Sequence, residues 1–310
     1  MTLNSKYAGM TGRAVLLLLL LPLVLAVGAG RAEAQCASGR TVGNNFVASG
    51  TYDPFNATDV FDAYTIQVRN NSGATCSYGL VFHRNSLPAT MGGAVTYAVT
   101  NSGGTSVMST TPQNAVAPVW LPVTNVPAGA TVTVTYYVSI ARGQVVGPAT
   151  RSDPINIWMY ALNGSGQLVL PRLHSDNLTV RYTTPTSIST NVAGGGTATT
   201  VDFGEIVAGA VRSVNIEARS NVNYQLRATS LNLGTMRLPP PYNTWSIDYT
   251  ATLSAAPLDL SIVTGTVVGP LTATPSAGRT HPLGVTIGSV SGKRAGTYTD
   301  DITIRIEVAP

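Results

Sequence analysis

Close to its last residue the chain alternates apolar and polar positions without a break. Ile302, Ile304, Ile306 and Val308 fall on one side of the pattern, Thr303, Arg305 and Glu307 on the other. A period of two predicts a strand with one buried face. "TVTVTYYVSI" has the same form, setting Val132, Val134, Tyr136 and Val138 against Thr131, Thr133, Thr135 and Tyr137. Shorter runs predict strands in "DAYTIQVRN", "YGLVF", "AVTYAVT" and "NLTVRY", then in "SVNIEARS", "NYQLRATS", "SIDYTATLS" and "LGVTIGSV". Turn clusters such as "NSGG", "VPAGA" and "SAGR" separate them. No long helical period interrupts the series, so the expected fold class is all-β.

The strands also repeat as a group. Ile66-Gln67-Val68-Arg69 is answered by Ile216-Glu217-Ala218-Arg219, Asn71 by Asn221, and the Tyr-x-Leu at Tyr78 by one at Tyr224. "SDNLTVRY", ending at Tyr182, is answered by "TDDITIRI", ending at Ile306. Two matches in one order predict two copies of a domain, each of the size of an immunoglobulin-like sandwich. The expected division is 1–34 as an export signal, 35–184 as a first sandwich, 185–196 as a linker rich in Thr, Ser and Gly, and 197–310 as a second sandwich. Tyr78 and Tyr182 are 104 positions apart but Tyr224 and Ile306 only 82. About 22 extra residues are therefore expected in loops of the first copy, where binding residues concentrate. "QNAVAPVWLPVTNVP" is the candidate, with Val119, Trp120 and Leu121 as a surface-contact loop; Trp158, Met159 and Tyr160 come second. Core packing is the competing reading for both groups.

The first residues change the compartment. Lys6 and Arg13 precede an apolar run through "LLLLLLPLVLAVGAG", and small residues follow at Ala32 and Ala34. That order predicts a cleaved signal peptide; a membrane anchor is the alternative, but Pro22 and the glycines interrupt a run already short for a bilayer. Export favours joining the only two cysteines, Cys36 and Cys76, as a disulfide. Cleavage after Ala34 leaves Gln35 and a tied Cys36, hence no free segment ahead of the first sandwich.

Composition narrows the function. Of 310 residues 44% are hydrophobic and 10% charged, with a formal charge of +4, and Lys6 and Lys293 are the only lysines. No basic patch points to nucleic acid. The histidines, His83, His174 and His281, stand in no nucleophile or zinc pattern, and "AGGGTA" precedes a strand where a phosphate loop would follow one. No catalytic, cofactor-binding or metal residue is expected.

"VDFGEIVAGAVRSVNIEARSNVNYQLRATSLNLGTM", "WSIDYTATLSAAPLDL" and "AGTYTDDITIRIEV" resemble the spore coat protein U domain, the pilin module of archaic chaperone–usher pili of the Csu type. "YDPFNATDVFDAYTIQVRNN…CSYGL" resembles a more divergent copy. The resemblance implies two pilin-type sandwiches in tandem, the second lacking its final strand. The groove so left would be lined by Phe203, Ile302, Ile304, Ile306 and Val308. A periplasmic chaperone would cover it first, and at an outer-membrane usher the N-terminal donor strand of a neighbouring pilin would replace the chaperone. A chain that accepts a strand without giving one suits the tip of a pilus, reached through the periplasm and displayed at the cell surface. Its ligand would be an abiotic surface or a host glycan, its role attachment or biofilm formation. A coat protein assembled by strand exchange and a secreted carbohydrate-binding sandwich are the alternatives, as is a closed second sandwich whose last strand is simply Ile302 to Val308.

Overall fold

The computed structural model describes residues 36–43, 45–110 and 120–310. The expected export signal lies outside them. All regular structure among the described residues is β. The first sandwich holds β1 (Gly39–Val42), β2 (Phe46–Thr51), β3 (Val60–Asn70), β4 (Cys76–His83), β5 (Ala89–Met91), β6 (Val95–Thr100), β7 (Met108–Ser109), β8 (Leu121–Val126), β9 (Thr131–Ile140), β10 (Ala149–Leu162) and β11 (Leu168–Thr184). The second holds β12 (Ile188–Val192), β13 (Val211–Ser220), β14 (Tyr224–Ser230), β15 (Thr235–Arg237), β16 (Ser246–Leu253), β17 (Ala256–Leu258), β18 (Thr266–Leu271), β19 (Arg279–Ile287) and β20 (Ile302–Val308).

One sheet has the same strand order in each sandwich: β1-β3-β9-β6-β5 in the first and β12-β13-β19-β16-β15 in the second. The facing sheets differ. In the first the order is β2-β11-β10-β4-β7, with β8 also on β4; in the second it is only β18-β14-β20. Alternation puts Ile66, Val68, Tyr136, Val138, Leu178 and Val180 into one core, and Ile216, Leu226, Ile247, Leu253 and Ile287 into the other. Cys36 and Cys76 form the disulfide expected of them, 40 positions apart, tying the start of the first sandwich to β4.

The topology corrects three expectations. Tyr78 pairs with Ala161 of β10, 83 positions on, and Tyr224 pairs with Val308 of β20, 84 positions on. The strand that corresponds to β20 is therefore β10, and the likeness of "NLTVRY" to "TDDITIRI" is that of any two half-buried strands. The extra residues of the first copy are not an insertion in the expected loop; they are the turn 163–167 and the 17-residue strand β11. And the stretch 185–196 is not all linker. Ile188–Val192 is the first strand of the second sandwich, paired to β13 from Ile188 opposite Ser220 to Val192 opposite Ile216. Three residues, 185–187, join β11 to β12.

Asn221 braces that short join. Its Nδ2 donates to Pro185 O at 2.8 Å and to Val146 O of the first sandwich at 3.3 Å, while Ser187 N donates to its Oδ1 at 2.9 Å. One buried side chain thus ties the loop 141–148, the connector and the second sandwich.

Candidate functional site: an unfilled place beside the last strand

In the first sandwich β11 lies between β10 and β2. It runs antiparallel to β10 and parallel to β2, with Leu178 opposite Phe46 and Thr183 opposite Thr51. Leu178, Val180 and Tyr182 are buried completely or nearly so. Two features seat β2 there. A Cβ at Gly50 would lie 2.6 Å from the Tyr182 ring, so the crossing needs glycine. Below it Tyr182 donates to Asp62 at 2.7 Å, and Tyr64 donates to Ser49 O at 2.9 Å. Burial pushes the Tyr182 phenol far up, which keeps it a donor.

The second sandwich has no strand in that place among its described residues. β20 pairs with β14 on one side only. Ala309 N donates to Asn223 O and Leu231 N to Asp301 O, so odd-numbered residues turn their backbone groups toward β14. By the alternation of an antiparallel ladder, Ile302, Ile304, Ile306 and Val308 turn their N–H and C=O groups to the open side. Their side chains face the core. Ile302, Ile304 and Ile306 pack on it but stay half-exposed, and Val308 is 49% exposed. Val192, Phe203 and Ile206 are also half-buried against the same core. Phe203 belongs to the stretch after β12, which corresponds in chain order to β2 but forms no strand. The structure thus brings Phe203, Ile302, Ile304 and Ile306 onto one core, together with Val192 and Ile206, while Val308 stays exposed at the end of β20. Sequence reading missed Val192 and Ile206 because neither stands in an alternating run.

Outside the core, Arg227 and Glu307 clasp β14 to β20. Arg227 Nε donates to Oε1 at 2.8 Å, Arg227 Nη2 and Gln225 Nε2 each to Oε2 at 3.0 Å. The Arg227 guanidinium and Gln225 hold the Glu307 carboxyl down at about 2. Inside, His281 is buried between Tyr224, whose hydroxyl is 2.8 Å from Nε2, and Ser254, whose hydroxyl is 2.8 Å from Nδ1. Burial and the nearby Arg279 lower the pKa of His281.

Of the expected surface-contact residues, the two that are described are not exposed. Val119 lies outside the described residues. Leu121 opens β8 and is 6% exposed in the first core. Trp120 is half-buried over Gly79 on the outer face of β4, close to where Leu162 and Leu168 also meet that glycine. Met159 and Tyr160 are buried, and the Trp158 ring has neighbours already: His83 stacks on it at 3.9 Å and the Arg172 guanidinium lies 4.6 Å from its centre. A polar cavity of about 220 Å³ opens beside His83, but its carboxylate, Asp153, is engaged by Arg84 at 2.6 Å and by the Tyr97 hydroxyl at 2.7 Å. Burial and that carboxylate push the Tyr97 phenol far up.

No family model matches the chain, and no curated protein matches it. Similar solved structures exist. One is the complex of the chaperone CsuC with the tip subunit CsuE from archaic Csu pili of Acinetobacter baumannii, at 12% identity over 86% of this chain and 99% of that one, TM-score 0.48. Another is CfaE, the adhesive subunit of CFA/I fimbria of enterotoxigenic Escherichia coli, at 12% identity over 87% of this chain and 92% of that one, TM-score 0.33. A chaperone–tip adhesin complex of CFA/I fimbriae gives 11% identity over 88% and 97%, TM-score 0.38. With every one of these TM-scores below 0.5, the functional reading rests on the geometry of this chain.

Proposed function

We propose that the chain is a surface-fibre subunit that receives a β-strand from another protein. The observation that carries this is the contrast between the two sandwiches: the first fills the place beside β10 with its own β11, and the second leaves the place beside β20 open. An edge strand with free backbone groups and half-exposed isoleucines is an aggregation hazard unless another chain pairs with it. Backbone pairing would give affinity, and alternate apolar side chains entering between Ile302, Ile304, Ile306, Val308 and Phe203 would give register. The internal example gives the direction: antiparallel to β20, as β11 is to β10.

In this reading a periplasmic pilus chaperone covers the groove during export and a neighbouring pilin's N-terminal strand takes it over at an outer-membrane usher. At the tip of such a fibre the first sandwich would be the attachment unit for an abiotic surface or a glycan, with a role in biofilm formation. The test is export of the full chain with and without a pilus-type chaperone. Soluble chain recovered only as a one-to-one chaperone complex, and later at the cell surface in fibres, supports the reading. Stable monomer that gains nothing from the chaperone overturns it.

A further inference from the structure

The end of the second sandwich remote from the first is unusually apolar. Leu231 and Val263 are 72% and 78% exposed, and Leu233, Tyr242 and Trp245 lie between 40% and 44%. Leu231, Leu233 and Tyr242 sit on loops tied to the segment that leads into β20, and Val263 lies on the loop before β18, at the same end of β14. Asn232 donates through its backbone to Asp300 at 2.9 Å and through Nδ2 to Thr299 O at 3.2 Å; Ser230 donates to Asp300 at 2.6 Å. Arg237 and Thr299 exchange backbone hydrogen bonds, and the Arg294 guanidinium covers the Tyr242 ring at 3.6 Å. Leu233 has φ of 59°, a left-handed conformation that a leucine rarely adopts. A strained backbone that holds a leucine toward water is a cost without a return in the isolated chain.

The join between the two sandwiches offers an internal comparison. β11 runs antiparallel to β10, leaves beside the loop 141–148, and continues after three residues into a folded body. That body rests on the same loop: a Cβ at Gly143 would lie 3.4 Å from Ser276, and Asn221 donates to Val146 O. Loop 141–148 connects β9 to β10, and its counterpart connecting β19 to β20 is loop 288–301, which Asp300, Thr299 and Arg294 bind to the apolar end. A strand laid antiparallel to β20 would leave the groove beside Ile302, at this loop.

We infer that the apolar end formed by Leu231, Leu233, Tyr242, Trp245 and Val263 is the docking surface for the folded body of the subunit whose strand fills the groove. The occupant is a β-sandwich that follows its donated strand after a short connector, as the second sandwich follows β11, and meets this end with an apolar face. The inference rests on the groove reading and extends it from a strand to a two-part junction.

Maleimide labelling of L231C in the full chain tests it, with V47C, exposed on the first sandwich, as the reference. Each variant is labelled in two states: bound to a peptide of residues 168–184, the internal filling strand, and assembled in fibres sheared from cells. The expected result is labelling of L231C with the peptide and loss of labelling in the fibre, while V47C labels in both. Labelling of L231C in the fibre, with the peptide still bound by the isolated chain, overturns the docking surface and leaves the groove standing. A chain that neither binds the peptide nor enters fibres removes the groove reading, and the docking surface with it.

Discussion

Val180 of β11 and Ile304 of β20 both turn their side chains to a core, yet the first is completely buried and the second half-exposed. The difference is the presence of β2 beside β11 and the absence of any described strand beside β20. Truncating a fully buried isoleucine costs about 2–5 kcal/mol. I304A is expected to cost the lone chain well below that range and to reach it only when a strand fills the groove. Urea denaturation with and without the 168–184 peptide measures both, and equal costs in the two states contradict the assignment.

Gly50 marks where β2 crosses the first sandwich. With 2.6 Å to the Tyr182 ring and 2.8 Å to Asp62, G50V is expected to unseat β2 and cost about 1–3 kcal/mol or more. Proteolysis then reads out the exposed edge: β11 becomes cleavable in G50V and stays resistant in the parent. Unchanged resistance sinks the view that β2 closes this domain.

The disulfide spans 40 positions. Replacing both cysteines by alanine is expected to cost the first sandwich up to about 4 kcal/mol in the chain-entropy model. Calorimetry checks this, because the transition of the second sandwich should not move.

Acid acts on the second sandwich through His281. In the unfolded chain this group takes up a proton near its ordinary value of 6.5, while burial and Arg279 keep the folded ring neutral to lower pH. Its contribution is therefore complete above 6.5 and declines as pH falls from there toward the lowered folded value. Glu307, held at about 2, adds to the loss as pH falls from its ordinary value of 4.5 toward that value. The melting temperature of the second sandwich should fall as the pH drops below the ordinary value of 6.5, and H281Q should flatten that slope. An unchanged slope rules His281 out.

Much of this architecture is legible in the order of residues. Period-two runs give β3, β9, β14 and β20, and the paired Tyr-x-Leu at Tyr78 and Tyr224 marks the same strand in both copies. The correspondence of the last strands is not legible there. "NLTVRY" and "TDDITIRI" match because alternation records which face is buried and not which neighbour pairs, so β11 and β20 look alike while holding different places. The stretch 185–196 reads as linker because Ser, Thr and Gly dominate it; β12 forms there through backbone pairing with β13, with Ile188 and Val192 as its apolar contribution. Trp120 and Leu121 sit among prolines and resemble a loop, yet β8 carries Leu121 into the core.

The most direct measurement is the melting of the second sandwich in the full chain with the 168–184 peptide, compared with an I304D variant. At a hundred times its dissociation constant a bound strand adds about 2.7 kcal/mol, which raises the transition by roughly 10 °C for a domain of this size. The account predicts that rise in the parent and none in I304D. A parent transition that ignores the peptide at every concentration contradicts it, and would mean that the place beside β20 needs no other chain.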